Sequence, residues 1–167
     1  NTLDELAHAF EAADADTGVG VIVLTGAGEK AFCSGGDVNG EADFTKHKAW
    51  MYNRRCLHLS STMRNTGKPV IGRINGLAVG GGNELNLLCD LAIASDRAYF
   101  AQAGARVASV PIWYCTQLLP RNIGERKAKE VVFLCKRYPA EEALRLGWIN
   151  RVVPHEQLDA AVEEWCK

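Results

Sequence analysis

Hydrophobic and polar positions along this chain fall into blocks that predict helices and strands in alternation. Helices are predicted over residues 3–13, 46–64, 81–88, 128–134, 140–146 and 155–166. Short apolar runs rich in β-branched residues predict strands over 19–24, 70–74, 91–94 and 148–153, the first of them fully buried. Strands that alternate with helices predict an α/β fold, which we expect to form a single domain over residues 1–167.

Two glycine-rich turns each follow one of the predicted strands. The first ends in Ser34-Gly35-Gly36-Asp37 and the second is the triplet Gly80–Gly82. If the two strands are neighbours, both turns lie at the same edge of the sheet. One backbone N–H from each turn could then reach a single oxygen, which is the arrangement of an oxyanion hole.

Glu84 stands two residues beyond the glycine triplet. A carboxylate this close to free backbone amides suggests acid–base chemistry on a carbonyl group. A glutamate in the first turn of a helix can equally satisfy backbone N–H groups there, and the pattern alone leaves both interpretations open. Nucleotide loops fit less well, because the third glycine of a dinucleotide fingerprint and the Gly-Lys-Ser/Thr of a phosphate loop are missing.

Composition narrows the possible partners. The chain has 167 residues, 47% of them hydrophobic, with 19 basic and 20 acidic side chains and a net charge of −1. This balance argues for a globular protein and against nucleic acid or a membrane surface as the main partner. The six cysteines and four histidines show no metal-ligand spacing, so we expect reduced thiols, no metal site and a cytoplasmic location.

Four segments resemble the motifs of the crotonase (enoyl-CoA hydratase/isomerase) superfamily, in the family's order: 22–37, 68–94, 100–104 and 143–154. The resemblance implies a spiral of ββα units and an acyl-CoA thioester substrate, with no cofactor beyond the coenzyme A of that substrate. It implies a homotrimer or a dimer of trimers. It also implies that the chain is incomplete at both ends and lacks the family's C-terminal helical segment.

The same resemblance assigns roles to individual residues. Gly36 and Gly81 would donate the two N–H groups of the oxyanion hole, and Glu84 would be the first of two catalytic glutamates. Gly104 stands where the second glutamate is expected. Substrate contacts are expected from Ser34, Gly35, Asp37, Leu77, Ala78, Val79, Gly80 and Ser109.

Two branches of the superfamily offer alternatives to hydration. Gln102-Ala103-Gly104 resembles a segment of dihydroxynaphthoyl-CoA synthase, but Ala103, Pro111 and Val132 replace residues which that branch uses. Ring-opening oxo-acyl-CoA hydrolases keep both a glutamate after the triplet and a similar Gln-Ala-Gly. A subunit that binds acyl-CoA without turnover is a further alternative. Trp113 could narrow an acyl pocket or simply pack in the core.

Overall fold

The computed structural model describes residues 2–37 and 43–167, whose strands form two four-stranded sheets. The first sheet has the order β1-β3-β5-β8, with all neighbours parallel: β1 (Ile22–Thr25), β3 (Val70–Ile74), β5 (Leu91–Ser95) and β8 (Arg151–Val153). The second has the order β2-β4-β6-β7, and only its last pair is antiparallel: β2 (Ala31–Cys33), β4 (Leu77–Val79), β6 (Tyr99–Ala101) and β7 (Tyr138–Pro139).

Helices connect and cover these strands. They are α1 (Thr2–Ala15), α2 (Lys46–Asn65), α3 (Gly81–Leu88), α4 (Cys115–Ile123), α5 (Glu125–Leu134), α6 (Ala140–Leu146) and α7 (Leu158–Trp165), with short 3₁₀ turns at Gly104–Arg106 and His155–Gln157. Thr45 caps α2, since its hydroxyl accepts a hydrogen bond from the Lys48 N–H at 3.2 Å.

Successive strand pairs place one strand in each sheet. In each pair the chain passes from a strand of the first sheet to a strand of the second before it enters a helix or the 3₁₀ turn. The pairs are β1–β2, β3–β4 and β5–β6. Asn75 fixes the first crossing, because its amide bonds to backbone groups of Gly26, Gly28 and Ala31 at 2.7–3.2 Å. The predicted α/β spiral of ββα units, the crotonase fold, is confirmed.

The core lies where the helices pack against both sheets. Leu59 of α2, Ile74 of β3 and Phe100 of β6 are completely buried in one cluster. Trp148 packs against Phe100 with ring centroids 5.6 Å apart, and its indole N–H donates to Asn83 Oδ1 at 2.9 Å. This contact ties α3 to the chain that leads into β8.

Several sequence predictions need correction. The hydrophobic pattern predicted none of the strands of the second sheet, because they have only two or three residues and are too short to show a period. The strand predicted as fully buried over 19–24 is Ile22–Thr25 with Val23 exposed, because β1 is an edge strand with one neighbour. The strand predicted over 148–153 begins at Arg151, and the helix predicted over 155–166 divides into a 3₁₀ turn and α7.

Candidate active site

The two glycine-rich turns meet at one edge of the second sheet. They follow β2 and β4, which are parallel neighbours, rather than the first-sheet strands that the sequence suggested. A methyl group added to Gly35 would lie 3.3 Å from the Gly81 nitrogen, and one added to Gly81 would lie 3.6 Å from Gly35 Cα. The backbones of the two turns therefore lie side by side. A side chain at Gly35 would be strained, because φ is 98° and its Cβ would lie 3.0 Å from the Val79 carbonyl oxygen, whereas a methyl group at Gly81 would make ordinary van der Waals contacts.

A cavity of about 600 Å³ lies over these turns. Eight residues with predicted roles line it: Ser34, Gly35, Gly36, Asp37, Gly80, Gly81, Glu84 and Ser109. Leu77, Ala78 and Val79 are not among the residues that line it, and their substrate contacts stay a prediction. They form β4, where Ala78 is completely buried and the backbone pairs with β2 and β6.

Glu84 is almost completely buried, at 3% exposure, on the cavity side of α3. Its Oε2 accepts hydrogen bonds from the backbone N–H groups of Trp113 at 2.6 Å and Ile112 at 3.1 Å. Its Oε1 lies 3.5 Å from Gln102 Nε2. All three donors come from outside α3, so later segments hold the carboxylate, not the amides of its own helix.

The environment of Glu84 also shifts its proton affinity. Burial raises the pKa of this carboxyl to about 6, against the opposing effect of the hydrogen bonds from Trp113, Ile112 and Gln102. A carboxyl with a pKa near 6 takes up and releases a proton readily near neutral pH. Glu84 therefore combines a place in the cavity lining with a proton affinity that suits exchange near neutral pH.

Backbone closes the place where a second acid was expected. A methyl group on Gly104 would lie 2.7 Å from the Ser109 carbonyl oxygen, because the chain after the Gly104–Arg106 turn folds back on itself. The Ser109 N–H donates to the Gly104 carbonyl at 2.9 Å and holds this turn. The fold of the segment itself therefore requires glycine at position 104.

The sequence interpretation gave no role in the site to Gln102. This side chain is buried, lines the cavity, and places Nε2 3.5 Å from both Glu84 Oε1 and the Gly80 carbonyl, and 3.2 Å from Cys115 Sγ. It thus joins the second glycine turn to the acid. The sequence signal that could have identified Gln102 is its position as a polar residue directly after the apolar Phe100-Ala101 pair.

Trp113 lines the cavity beside the second glycine turn. Its ring lies 3.7 Å from a methyl group placed on Gly81, and its indole nitrogen has no hydrogen-bond partner among the described residues. Trp113 is also buried in the hydrophobic core, at 6% exposure, so it lines the cavity and packs in the core at the same time. In the same described ranges, no three His, Cys, Asp or Glu side chains group as metal ligands, and no helix is long and apolar enough to cross a membrane.

Comparison with known proteins gives a consistent result. A family model described as enoyl-CoA hydratase/isomerase matches residues 1–167. Among solved structures, an enoyl-CoA hydratase from Bacillus anthracis is 35% identical with a TM-score of 0.93, over 98% of this chain and 64% of that one. DspI of Pseudomonas aeruginosa is also 35% identical with a TM-score of 0.93, and the match covers 98% of this chain and 63% of DspI.

A third solved structure, an enoyl-CoA hydratase/carnitine racemase from Magnetospirillum magneticum, is 30% identical with a TM-score of 0.92. It is matched over 98% of this chain and 62% of its own length, so the chain spans less than two thirds of all three relatives. The match nevertheless covers both sheets and both glycine turns. This chain belongs to the enoyl-CoA hydratase/isomerase family.

Proposed function

We propose that this chain carries the site of an enzyme that adds water to the double bond of an enoyl-CoA thioester. The observation that supports the proposal is that Gly36, Gly81 and Glu84 line one cavity, with the two glycine turns in backbone contact. A thioester carbonyl that accepts hydrogen bonds from two fixed N–H groups becomes more electrophilic along its conjugated double bond.

The oxyanion hole would use the N–H groups of Gly36 and Gly81. Gly81 is the first residue of α3, so its N–H has no acceptor within the helix and carries part of the positive end of the helix dipole. As the water oxygen bonds to C3, the C2–C3 π electrons move to C2 and the thioester oxygen gains negative charge. Oxyanion donors contribute about 2.7–4 kcal/mol each in well-studied cases.

Glu84 would carry out both proton transfers of this scheme, with the same proton. Its carboxylate takes one proton from the attacking water, and the resulting carboxyl then gives that proton to C2 as the enolate collapses. The bonds formed are C3–O and C2–H, and the C2–C3 π bond is lost, so the sum is the addition of one water. A single acid closes this cycle, which suits a site in which Gly104 replaces the second acid.

Allylic isomerisation is the second candidate, and the closed backbone at Gly104 favours it. Here Glu84 would remove a proton from C2 of a 3-enoyl thioester and return it to C4, so that the double bond moves from C3–C4 to C2–C3 with no water involved. Ring-opening hydrolysis is less favoured, because it creates a free carboxylate at the far end of the acyl group. No Lys, Arg or His is among the described residues that line the cavity.

The test is hydration of 2-enoyl-CoA thioesters by the wild type and by Glu84→Gln. We expect a rate loss of about 10²–10⁴-fold, the usual contribution of a general acid or base. Glu141→Gln changes an exposed glutamate of α6 in the same way and should leave the rate unchanged. Equal rates for the wild type and Glu84→Gln would overturn the proposal.

Product analysis in heavy-oxygen water separates the candidate reactions. Hydration places the label on a C3 hydroxyl, hydrolysis places it on a carboxylate, and isomerisation of a 3-enoyl thioester incorporates none. Tight acyl-CoA binding with no turnover across the whole panel would indicate a binding subunit.

Assembly as a homotrimer or dimer of trimers remains an expectation from the family, which sedimentation of the protein would check.

A further inference from the structure

The cavity has an apolar side whose composition points to a particular kind of acyl group. We propose, on the basis of the proposed function, that the substrate carries a long, uncharged, apolar acyl chain, and that contact of this chain with the Glu84 loop helps to hold Glu84 in place. The Glu84 loop is the segment of residues 104–114.

Three separate parts of the chain build the apolar side of the cavity: α1, α3 and the Glu84 loop. They contribute the aliphatic side chains of Leu3, Leu6, Leu85, Val107, Val110 and Ile112. The acidic side chains of Asp37 and Glu84 also line the cavity, while no basic side chain lines it among the described residues. An acyl group that ends in a carboxylate would find no cation here, and desolvation of its charge would be uncompensated.

The aliphatic side chains that the Glu84 loop contributes to the cavity are also open to solvent. Val107, Val110 and Ile112 are 46%, 70% and 38% exposed. Grouped apolar side chains exposed at the mouth of a cavity are typical of a binding surface. An alkyl chain laid across them would gain roughly fourfold in affinity for each methylene group that it removes from water.

The backbone of the same loop holds the acid. The N–H groups of Ile112 and Trp113, two and three residues after the exposed Val110, donate to Glu84 Oε2. The loop also contains Ala108 and Tyr114 at φ angles of 53° and 60°, which are left-handed conformations that cost energy for residues other than glycine. A bound acyl chain would stabilise the loop where it already contacts Glu84.

This arrangement links chain length to the chemical step. Binding energy from a remote part of a substrate can be used to position groups at the reacting centre, so that truncated substrates lose kcat and not only affinity. A short enoyl-CoA would fill the oxyanion hole but leave Val107 and Val110 in water. We therefore expect kcat to rise with acyl length until the loop is covered.

Binding of unreactive saturated thioesters tests the substrate class without any turnover. Calorimetry would compare butanoyl-CoA, dodecanoyl-CoA and dodecanedioyl-CoA, the last having a carboxylate at the far end. We expect dodecanoyl-CoA to bind at least tenfold more tightly than either of the others. Equal affinity for butanoyl- and dodecanoyl-CoA, or tighter binding of the dicarboxylic thioester, would overturn the inference.

The double variant Val107→Thr/Val110→Thr keeps the side-chain shape but adds hydroxyl groups to the loop. It should weaken the binding of dodecanoyl-CoA at least threefold and leave the affinity for butanoyl-CoA unchanged. Val23→Thr is the matched control, since Val23 is an exposed valine of β1 that does not line the cavity. An equal loss for both thioesters, or an equal loss in the control, would contradict a role for the loop in binding the chain.

Turnover measurements then separate positioning from affinity alone. The double variant should lower kcat for dodec-2-enoyl-CoA by a clearly larger factor than kcat for but-2-enoyl-CoA. A change confined to KM would overturn the link to Glu84 and leave the substrate class supported by binding. Preferential binding of the long chain with no hydration of any enoyl thioester would refute the proposed function, and with it the link to kcat, but not the substrate class.

Discussion

The two sheets of this chain differ in how they are specified and in what they carry. The first sheet has strands of three to five residues, rich in valine and isoleucine, that pair in parallel. The second has strands of two or three residues, and two of them end in the glycine turns that line the cavity. The sheet with the stronger sequence signal supports the core, whereas the weaker one positions the candidate chemistry.

The two sheets also differ in how well they tolerate an added methyl group. In the first sheet, Gly72 of β3 lies near flexible side chains, and a methyl group there would be 3.2 Å from Ile74 Cδ1. At the second sheet, a methyl group on Gly82 would be 2.0 Å from the Cys33 carbonyl oxygen. Side-chain ends can move aside, but a backbone carbonyl at the end of β2 cannot move without displacing the turn that holds Gly36.

The largest expected effect is that of Gly82→Ala on stability. The added methyl group must push β2 away from α3, and we expect the free energy of unfolding to fall by about 3 kcal/mol or more, at the upper end of overpacking effects. Gly72→Ala, the first-sheet counterpart, should cost about 1 kcal/mol or less, since Ile74 can adjust. Denaturant unfolding of both variants checks this. Equal losses would show that the two sheets tolerate crowding alike.

The second effect concerns the buried acid and its pH dependence. The pKa of Glu84 is about 6 in the folded chain, against an ordinary value of 4.5, so the folded state binds its proton more tightly than the unfolded state. The resulting stability is fully present below pH 4.5 and is lost as the pH rises through 6. By pH 8 the free energy of unfolding has fallen by about 2 kcal/mol, because a shift of one pKa unit corresponds to about 1.36 kcal/mol.

Glu84→Gln removes this titration. The free energy of unfolding of the variant, relative to the wild type, should therefore rise by about 2 kcal/mol between pH 4.5 and pH 8. Denaturant unfolding across this pH range measures it, with Glu141→Gln as the exposed control. A relative stability of Glu84→Gln that does not change with pH would show that burial does not perturb this carboxyl.

The smallest expected effect tests the closed backbone at position 104. Gly104→Ala must shift the Ser109 carbonyl, which belongs to the loop whose amides bind Glu84, so we expect about a tenfold loss of hydration rate, equivalent to 1.4 kcal/mol. Gly20→Ala is the control, because no atom lies within 4 Å of a methyl group there. Gly104→Glu should likewise lose activity. A gain of hydration in Gly104→Glu would show that the loop can accommodate a second acid.

Much of the scaffold could be predicted from hydrophobic patterning. The helices Gly81–Leu88 and Ala140–Leu146 and the strand Val70–Ile74 have the predicted bounds, because each carries enough apolar residues in one period to be distinct. The second sheet could not be predicted from periodicity, since a strand of three residues shows at most one alternation. Its pairing depends on the crossings that follow the first-sheet strands.

The candidate site divides in the same way. The sequence by itself determined the two glycine turns, the acid at position 84 and the absence of an acid at position 104, because these are properties of residue type and spacing. Only the tertiary structure decided that later backbone amides hold Glu84, that Gln102 joins it to the Gly80 turn, and that the Ser109 carbonyl closes position 104. Such contacts join segments up to 29 residues apart, and their geometry follows from how the second sheet and the Glu84 loop pack together.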